Sequence, residues 1–579
     1  MRIKSGFDIP AVLVVTAIAF VFAGARIATA RPAIESLTTA QIDNLVLFGK
    51  VWGFAKYYHP AMTDGRVDAD SELRRTLPSV LKATGPASAT KVISDWLAGL
   101  DIPDACNPCA SMPESTHLRP DIGWIRDQRI LGRTLSTQLL RIYQNRRPDL
   151  TQYYVTLAPG VGNPIFRNER DYGEEALPGS DLRLLALYRF WNIIEYWSPY
   201  RNLVKDNWDT VLQEFVPRLW VADDPDAYRL AMIALIARAR DGHANLWNSL
   251  SVRPPRGSYR LPVDVRFVED KAVVTGFSND SFRAATGLRV GDVILSIGGA
   301  RVDSLIPAWT PYYAASNQPS RLRDIARSLT QGPPGKVRVT AERDGLTFEV
   351  QPERYLTESL NLIGPGTHDL PGDTFQRLTD EVSYLKLSSV SAAQSTDYIR
   401  KASGSKVLVI DIRNYPKEFV VFALGSHLVS KETEFARFTV PNLANPGAFV
   451  WTRPISLRPV PPLYSGAVVI LVDESSQSQA EYTAMAFRSA SHAIVVGSTT
   501  AGADGNVSPI VLPGGLRTLI SGIGVFYPDR TPTQQVGILP DLVVRPTIAG
   551  IRQGRDEVLE AAVSRALGRE FRSPRRVEP

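Results

Sequence analysis

The stretch AVVILVDESSQSQAEYTAMAFRSA (467–490) holds the residue types whose order most directly supports chemistry. Ala467–Val472 reads as a buried strand, a short polar turn follows, and an amphipathic helix begins near Ser478. A serine at such a junction stands at the edge of a sheet, where the N–H groups of the helix start can stabilise an oxyanion. Ser-x-x-Glu, from Ser478 to Glu481, is also the spacing of a helix capping box, so the local sequence supports both readings. A nucleophilic serine needs a base. In ALIARARDGHANL (234–246), His243 follows a long helical pattern and the helix stop Asp241-Gly242, outside the apolar stripe. A neutral imidazole there can accept a serine proton near neutral pH, and an ordinary structural histidine is the equal alternative. Cys106 and Cys109, in DACNPCA, are the only cysteines. Zinc needs about four ligands, and no second CxxC and no HxxxH is present, so a local disulfide is expected and a metal is not.

These residues need a scaffold. From about residue 375 strands alternate with helices, which predicts an α/β layer; Val382–Leu387, Lys406–Ile412, Ala467–Val472 and Ala493–Val496 are its clearest strands. Arg555–Leu567 reads as a closing helix and Ser573–Pro579 as a frayed tail. Residues 257–355 are β-rich, with segments Leu261–Val268, Ala272–Thr275 and Val337–Arg343 between Gly and polar turns. The front of the chain is duplicated: LFGKVWGFAKYYHP (47–60) and ALYRFWNIIEYWSP (186–199) align without a gap, pairing Trp52 with Trp191, Tyr57 with Tyr196 and Pro60 with Pro199. The register continues through Asp70/Asp209, Pro78/Pro217 and Pro86/Pro225. Each copy opens with an aromatic-striped helix that packs against neighbours and stops at its proline. Only the second copy ends in a histidine; Asp104 takes the equivalent place in the first.

Composition limits the partners. The chain has 579 residues, 65 Lys plus Arg against 59 Asp plus Glu, and a formal charge of +6, with no long basic run. That excess is too thin for a nucleic-acid footprint. With 44% apolar and 21% charged residues, it is a large, well-cored, multidomain chain. Residues 1–30 read as an export signal: Arg2 and Lys4, an apolar run Ile9–Ala25, then Ala28-Thr29-Ala30 as a cleavage pattern. The alternative is an uncleaved N-terminal anchor, the one membrane contact expected. Both place the body of the protein in the periplasm or outside the cell.

Several segments in combination carry a family resemblance. DESSQSQAEY, VVGSTTAGADGNVS (495–508), QQVGILPDLVVRPT (534–547), VLVIDIRNYP (407–416), FGKVWGFAKYYHP, RARDGHANL and GLRVGDVIL (287–295) resemble, in order, the C-terminal-processing (tail-specific) serine peptidase family. The tricorn-core-like branch is the nearest match. The resemblance spans nearly the whole mature chain. It implies an α/β fold with a crotonase-like catalytic core, an inserted PDZ-like β domain and the duplicated helical region in front. The implied boundaries are a signal at 1–30, helical copy 1 with its loop at 31–180, copy 2 with the histidine at 181–255, the PDZ-like domain at 256–355 and the peptidase core at 356–579.

The resemblance also implies the site. Ser478 is the nucleophile. One branch of the family uses a lysine base, but Ala503, 25 residues after Ser478, stands at that position and no lysine follows Lys431. The tricorn-core branch uses a histidine ahead of the PDZ module, and His243 fills that place. That branch has a serine before the histidine and a glutamate ahead of its GVxPD motif; here the residues are Gly242 and Gln534. Gln534 is expected to orient the imidazole, with Asp241 the nearest substitute in sequence. Asn414-Tyr415-Pro416-Lys417-Glu418 replaces the family's Asn-Pro-Gly-Gly oxyanion loop, so an N–H from Lys417 or Glu418 is expected to act with that of Gln479. Gly287 and Leu288, in the PDZ-like stretch, are expected to bind the substrate carboxylate. The expectation is an exported serine peptidase that cleaves peptides or unfolded chain ends by acyl transfer, without metal or organic cofactor. Its rival is a family member that binds peptide or an apolar ligand without turnover.

Overall fold

The computed structural model describes residues 35–101, 103–148, 152–204, 208–279, 281–360 and 367–574. The export signal (1–30) and the end of the expected frayed tail (575–579) lie outside the described residues. Among the described residues, no helix is long and apolar enough to cross a membrane.

The helical front repeats itself at one spacing. Helices Thr39–Tyr58, Ala69–Lys82 and Pro86–Ala98 recur as Ser180–Trp197, Trp208–Trp220 and Pro225–Ala237. Their internal bonds recur too: the indole of Trp52 donates to Ala69 O, and that of Trp191 to Trp208 O. Tyr57 and Tyr196 meet edge to face with ring centroids 5.7 Å apart. The aromatic stripes are therefore packed into one core, where Trp52, Trp191 and Trp197 are almost wholly buried. Burial of that kind fixes where the last helix of the second copy ends, and so where the segment 238–246 begins. Cys106 and Cys109 form a disulfide in the loop after the first copy.

The β-rich module holds a sheet in the order Leu346–Val350, Val339–Arg343, Val293–Ile297, Lys271–Phe277, Val263–Val268, which makes Val263–Val268 an edge strand. Helix Gln318–Leu329 packs beside that edge.

A second layer is a six-stranded sheet in the order Phe375–Thr379, Val382–Lys386, Val407–Asp411, Ala467–Val472, Ala493–Gly497, Leu542–Val543. The first pair is antiparallel and the rest are parallel. Ala467–Val472 shows why a near-continuous apolar run is needed. Val468, Ile470 and Val472 pack toward helix Gln479–Arg488, while Val469 and Leu471 pack toward helix Glu557–Leu567. Side chains alternate across a strand, so a strand covered on both faces must be apolar at every position. In open sheets of this kind, sites form beyond the carboxyl ends of the strands. Asp473 to Ser478 lie there.

Candidate active site

Ser478 ends the turn after the central strand and precedes helix Gln479–Arg488 at φ 57°, ψ −118°. A non-glycine residue held at that φ is strained, and such strain persists only where surrounding bonds enforce it. Two bonds do so: Ser478 N–H donates to Ala503 O at 2.9 Å and to Glu481 Oε2 at 3.1 Å. The bond from Ser478 N–H to Glu481 is one arm of a helix capping box. Glu481 is fully buried and also accepts from Thr500 Oγ1, Gly502 N–H and Ala503 N–H, so one carboxyl ties the nucleophile turn to the 500–503 loop. Burial outweighs those donors and pushes Glu481 above the ordinary glutamate value. Asp504 is buried beside it, its Oδ2 without a partner among the described residues; burial and then the charge of Glu481 push it well above the usual range.

His243 is brought to this turn by its backbone. Gln477 Nε2 donates to Gly242 O at 3.5 Å, and a Cβ placed on Gly242 would sit 3.0 Å from Ala503 Cβ. A serine in place of Gly242 would therefore crowd the loop that holds Ser478. The His243 ring is buried, with Nδ1 2.9 Å from Ser521 Oγ. Ser521 donates its hydroxyl proton to Asp241 Oδ1 at 3.0 Å and its N–H to Asp241 Oδ2 at 2.6 Å; His243 N–H reaches Asp241 Oδ1 at 3.0 Å. A hydroxyl has one proton, and a bond to a carboxylate is the stronger use of it. Ser521 Oγ then accepts from Nδ1–H, which leaves the lone pair on Nε2. That atom is buried and has no partner among the described residues, so Ser478 Oγ and His243 Nε2 are not hydrogen-bonded to each other. Burial pushes Asp241 up, but the side-chain contact with His243 and the N–H groups of Ser521 and His243 outweigh it and hold the carboxyl below its usual value.

Three sequence expectations need correction. Gln534 does not reach the imidazole: its Nε2 lies 3.4 Å from Ser316 Oγ, which accepts Gly242 N–H at 2.8 Å, and its Oε1 is buried without a partner. The ring's partners come instead from Asp241 and Ser521. Lys417 N–H is taken up by Leu387 O at 2.9 Å, leaving Glu418 N–H as the donor of that loop. Gln479 carries the first N–H of its helix, which has no intrahelical acceptor; its side chain donates to Glu418 O at 2.8 Å and holds the two segments together. Gly287, at φ +71°, makes a turn, while Leu288 is buried in the core of the β-rich module with its N–H on Thr286 Oγ1. That pair is structural.

The β-rich module reaches the site from the other side. Arg323 donates to Glu474 O and to Gln477 Oε1, each at 2.8 Å, and Asn317 to Thr500 O at 2.8 Å. Arg266, on the edge strand, pairs with Asp473 and Glu474. His368 Nδ1 lies 2.6 Å from Asp473 Oδ2 and 3.2 Å from Ser475 Oγ. His368, Asp473 and Glu474 stand close enough to hold a cation, but the Arg266 guanidinium already bridges both carboxylates. Burial pushes Asp473 up, yet the charges of His368 and Arg266 outweigh it and hold the carboxyl well below its usual value.

The fold is similar to that of a solved protein, mature CPAF. Mature CPAF, solved with lactacystin, superposes with a TM-score of 0.52 over 64% of this chain and 95% of that chain, at 16% identity. A photosystem II D1 C-terminal processing protease gives 0.38 over 62% and 92% at 17% identity, and the tricorn protease 0.35 over 74% and 42% at 12%. Residues 429–544, which include the central strand, Ser478 and Gln534, match peptidase family S41. No curated protein sequence matches the chain.

Proposed function

We propose that this protein is an exported serine peptidase of the tail-specific kind, tricorn-core-like branch, acting on peptides or unfolded chain ends. One observation carries the reading: the turn that holds a strained serine at a strand–helix junction reaches, through Gln477 Nε2 and Gly242 O, the segment of a histidine whose Nδ1 is committed to Ser521 and Asp241, so that Nε2 is the free base. The match to peptidase family S41 and the fold shared with mature CPAF support it.

In this mechanism substrate seating draws Ser478 Oγ and His243 Nε2 together, as apo sites commonly tighten on binding. Ser478 Oγ attacks the scissile carbonyl carbon while Nε2 takes its proton. Asp241, through Ser521, offsets the imidazolium charge, and the Gln479 and Glu418 N–H groups receive the oxyanion. Collapse breaks the C–N bond, Nε2 returns the proton to the leaving amine, and water then hydrolyses the acyl-enzyme by the same relay. The edge strand Val263–Val268, beside helix Gln318–Leu329, suits an extended peptide added as a further strand, the binding mode of PDZ modules. Export rests on the signal-like residues 1–30 and on the Cys106–Cys109 disulfide, which suits an oxidising compartment.

The engaged Lys417 N–H favours the second reading, a peptide binder without turnover. Incubation with a disordered polypeptide separates the two. The peptidase reading expects new N-termini with wild type and none with Ser478→Ala; intact, bound polypeptide in both would favour the binder.

A further inference from the structure

An aromatic shelf adjoins the nucleophile. Tyr415, Phe419 and Phe422 expose 58%, 51% and 43% of their surface, in the loop and short helix that follow strand Val407–Asp411. The Phe419 ring lies parallel to Tyr482, with centroids 6.2 Å apart, and 6.0 Å from Phe422. Phe435 and Phe438 pack against the same Tyr482 at 5.2 and 5.8 Å. Tyr482 is four residues after Ser478, and its N–H bonds to Ser478 O, so residue and nucleophile share one face of the helix start. The shelf is also held at the front: Gln479 Nε2 grips Glu418 O, and the Glu418 carboxylate accepts Ala392 N–H at 2.8 Å. Large aromatic rings left in water beside a reactive centre are surface kept for a ligand.

We propose that Phe419 and Phe422, on a floor of Tyr482 and Phe435, form the subsite that receives an aromatic or large aliphatic side chain flanking the cleaved bond. The inference rests on the peptidase reading and names its substrate preference. The shelf is open to solvent on one side, so it sets no upper size limit. An alanine side chain would leave the rings wet, whereas a phenylalanine or leucine would cover them. In an enclosed apolar pocket one added carbon is worth about 10-fold or more; a shelf open on one side keeps only part of that, so the whole side chain should gain about 10- to 100-fold.

The test is a set of fluorogenic peptides, alike except for Ala, Leu, Phe or Asp at each position flanking the bond, with fluorophosphonate labelling of the same full-length preparation. Wild type should prefer Phe and Leu over Ala by about 10- to 100-fold in kcat/KM at one flanking position. Phe419→Ser combined with Phe422→Ser should flatten that preference to less than about threefold, and Phe419→Leu should retain the preference for Leu. A labelled wild type that cleaves the Ala and Phe peptides equally would overturn the subsite, as would a double variant that keeps full selectivity. If wild type is neither labelled nor active, the peptidase reading fails separately. Equilibrium binding of the Phe and Ala peptides then decides the shelf: tighter binding of Phe, lost in the double variant, supports it, and equal binding overturns it.

Discussion

Asp241→Asn changes one oxygen of a buried carboxylate and should disable the base without removing it. Asp241 accepts three hydrogen bonds, two from Ser521 and one from His243 N–H, and its Oδ1 lies 3.5 Å from His243 Nδ1. An amide can accept the Ser521 N–H only by placing its NH2 where Oδ1 was. That NH2 then donates to Ser521 Oγ, whose proton turns to Nδ1, and the imidazole proton moves to Nε2. The base is left in the wrong tautomer and the imidazolium loses its counter-charge. At an effective dielectric of about 20, a unit charge at that separation contributes at most ~4–5 kcal/mol. With relaxation, a fall of about 10²–10³-fold in kcat/KM is expected. The new donor–donor contact with His243 N–H should cost about 1–3 kcal/mol of stability. Because a merely structural role would also lower stability, the assay is a double-mutant cycle with Ser521→Ala, joined to 15N NMR of the imidazole tautomer. Asp241 acts through Ser521, so the double variant should be no slower than Asp241→Asn alone. A folded Asp241→Asn enzyme within about threefold of wild type, or strictly additive losses, would refute the relay.

Further expectations follow from groups around the site and the helical core. Gln534→Leu should change kcat/KM by less than about threefold, since among the described residues its side chain makes only a 3.4 Å contact to Ser316, whereas Gln534→Glu should lower Tm by burying a charge without a partner there. A large activity loss in Gln534→Leu with an unchanged Tm would return Gln534 to the mechanism. Glu195 is pushed up by burial, from about 4.5 to about 8, with Arg201 opposing only in part. Its folded value exceeds the unfolded one, so its neutral form is favoured on folding and stability falls as pH rises from the unfolded value toward about 8. Glu195→Gln should therefore raise Tm at pH 8–9, through a stability gain of at most about 5 kcal/mol, and leave it unchanged near pH 4; a Tm gain independent of pH would contradict that cause.

The architecture was legible where one side chain after another obeys a single local demand. Ala467–Val472 is apolar throughout because two helices cover it, and Trp52 and Trp191 match because each indole reaches the carbonyl of the residue 17 places on. The local places of Ser478, at the start of helix Gln479–Arg488, and of His243, in the turns after helix Pro225–Ala237, could be read from the helical patterns beside them. The orienter of the ring could not. Asp241 and Ser521 are 280 residues apart, and nothing in LRTLISGIG (516–524) marks Ser521 as more than a strand residue. Gln534 was expected on the ring from its place before Gly537-Ile538-Leu539-Pro540-Asp541, but Ser316, from the β-rich module, stands in its way. Lys417 was expected in the oxyanion site because a loop's backbone donors look alike in sequence; its acceptor, Leu387, comes from another strand end. Leu288 was read as a ligand contact although its apolar side chain also fits a domain core.

The central claim is that Ser478 is an activated nucleophile. Fluorophosphonate labelling of the purified full-length protein, with mass mapping of the adduct, tests it most directly. The account predicts one adduct on Ser478 in wild type, none in Ser478→Ala, and labelling slowed by about 10²–10⁴-fold in His243→Ala. An adduct on Ser475, which lies 3.2 Å from His368 Nδ1, or no adduct on a folded wild-type protein, would contradict it.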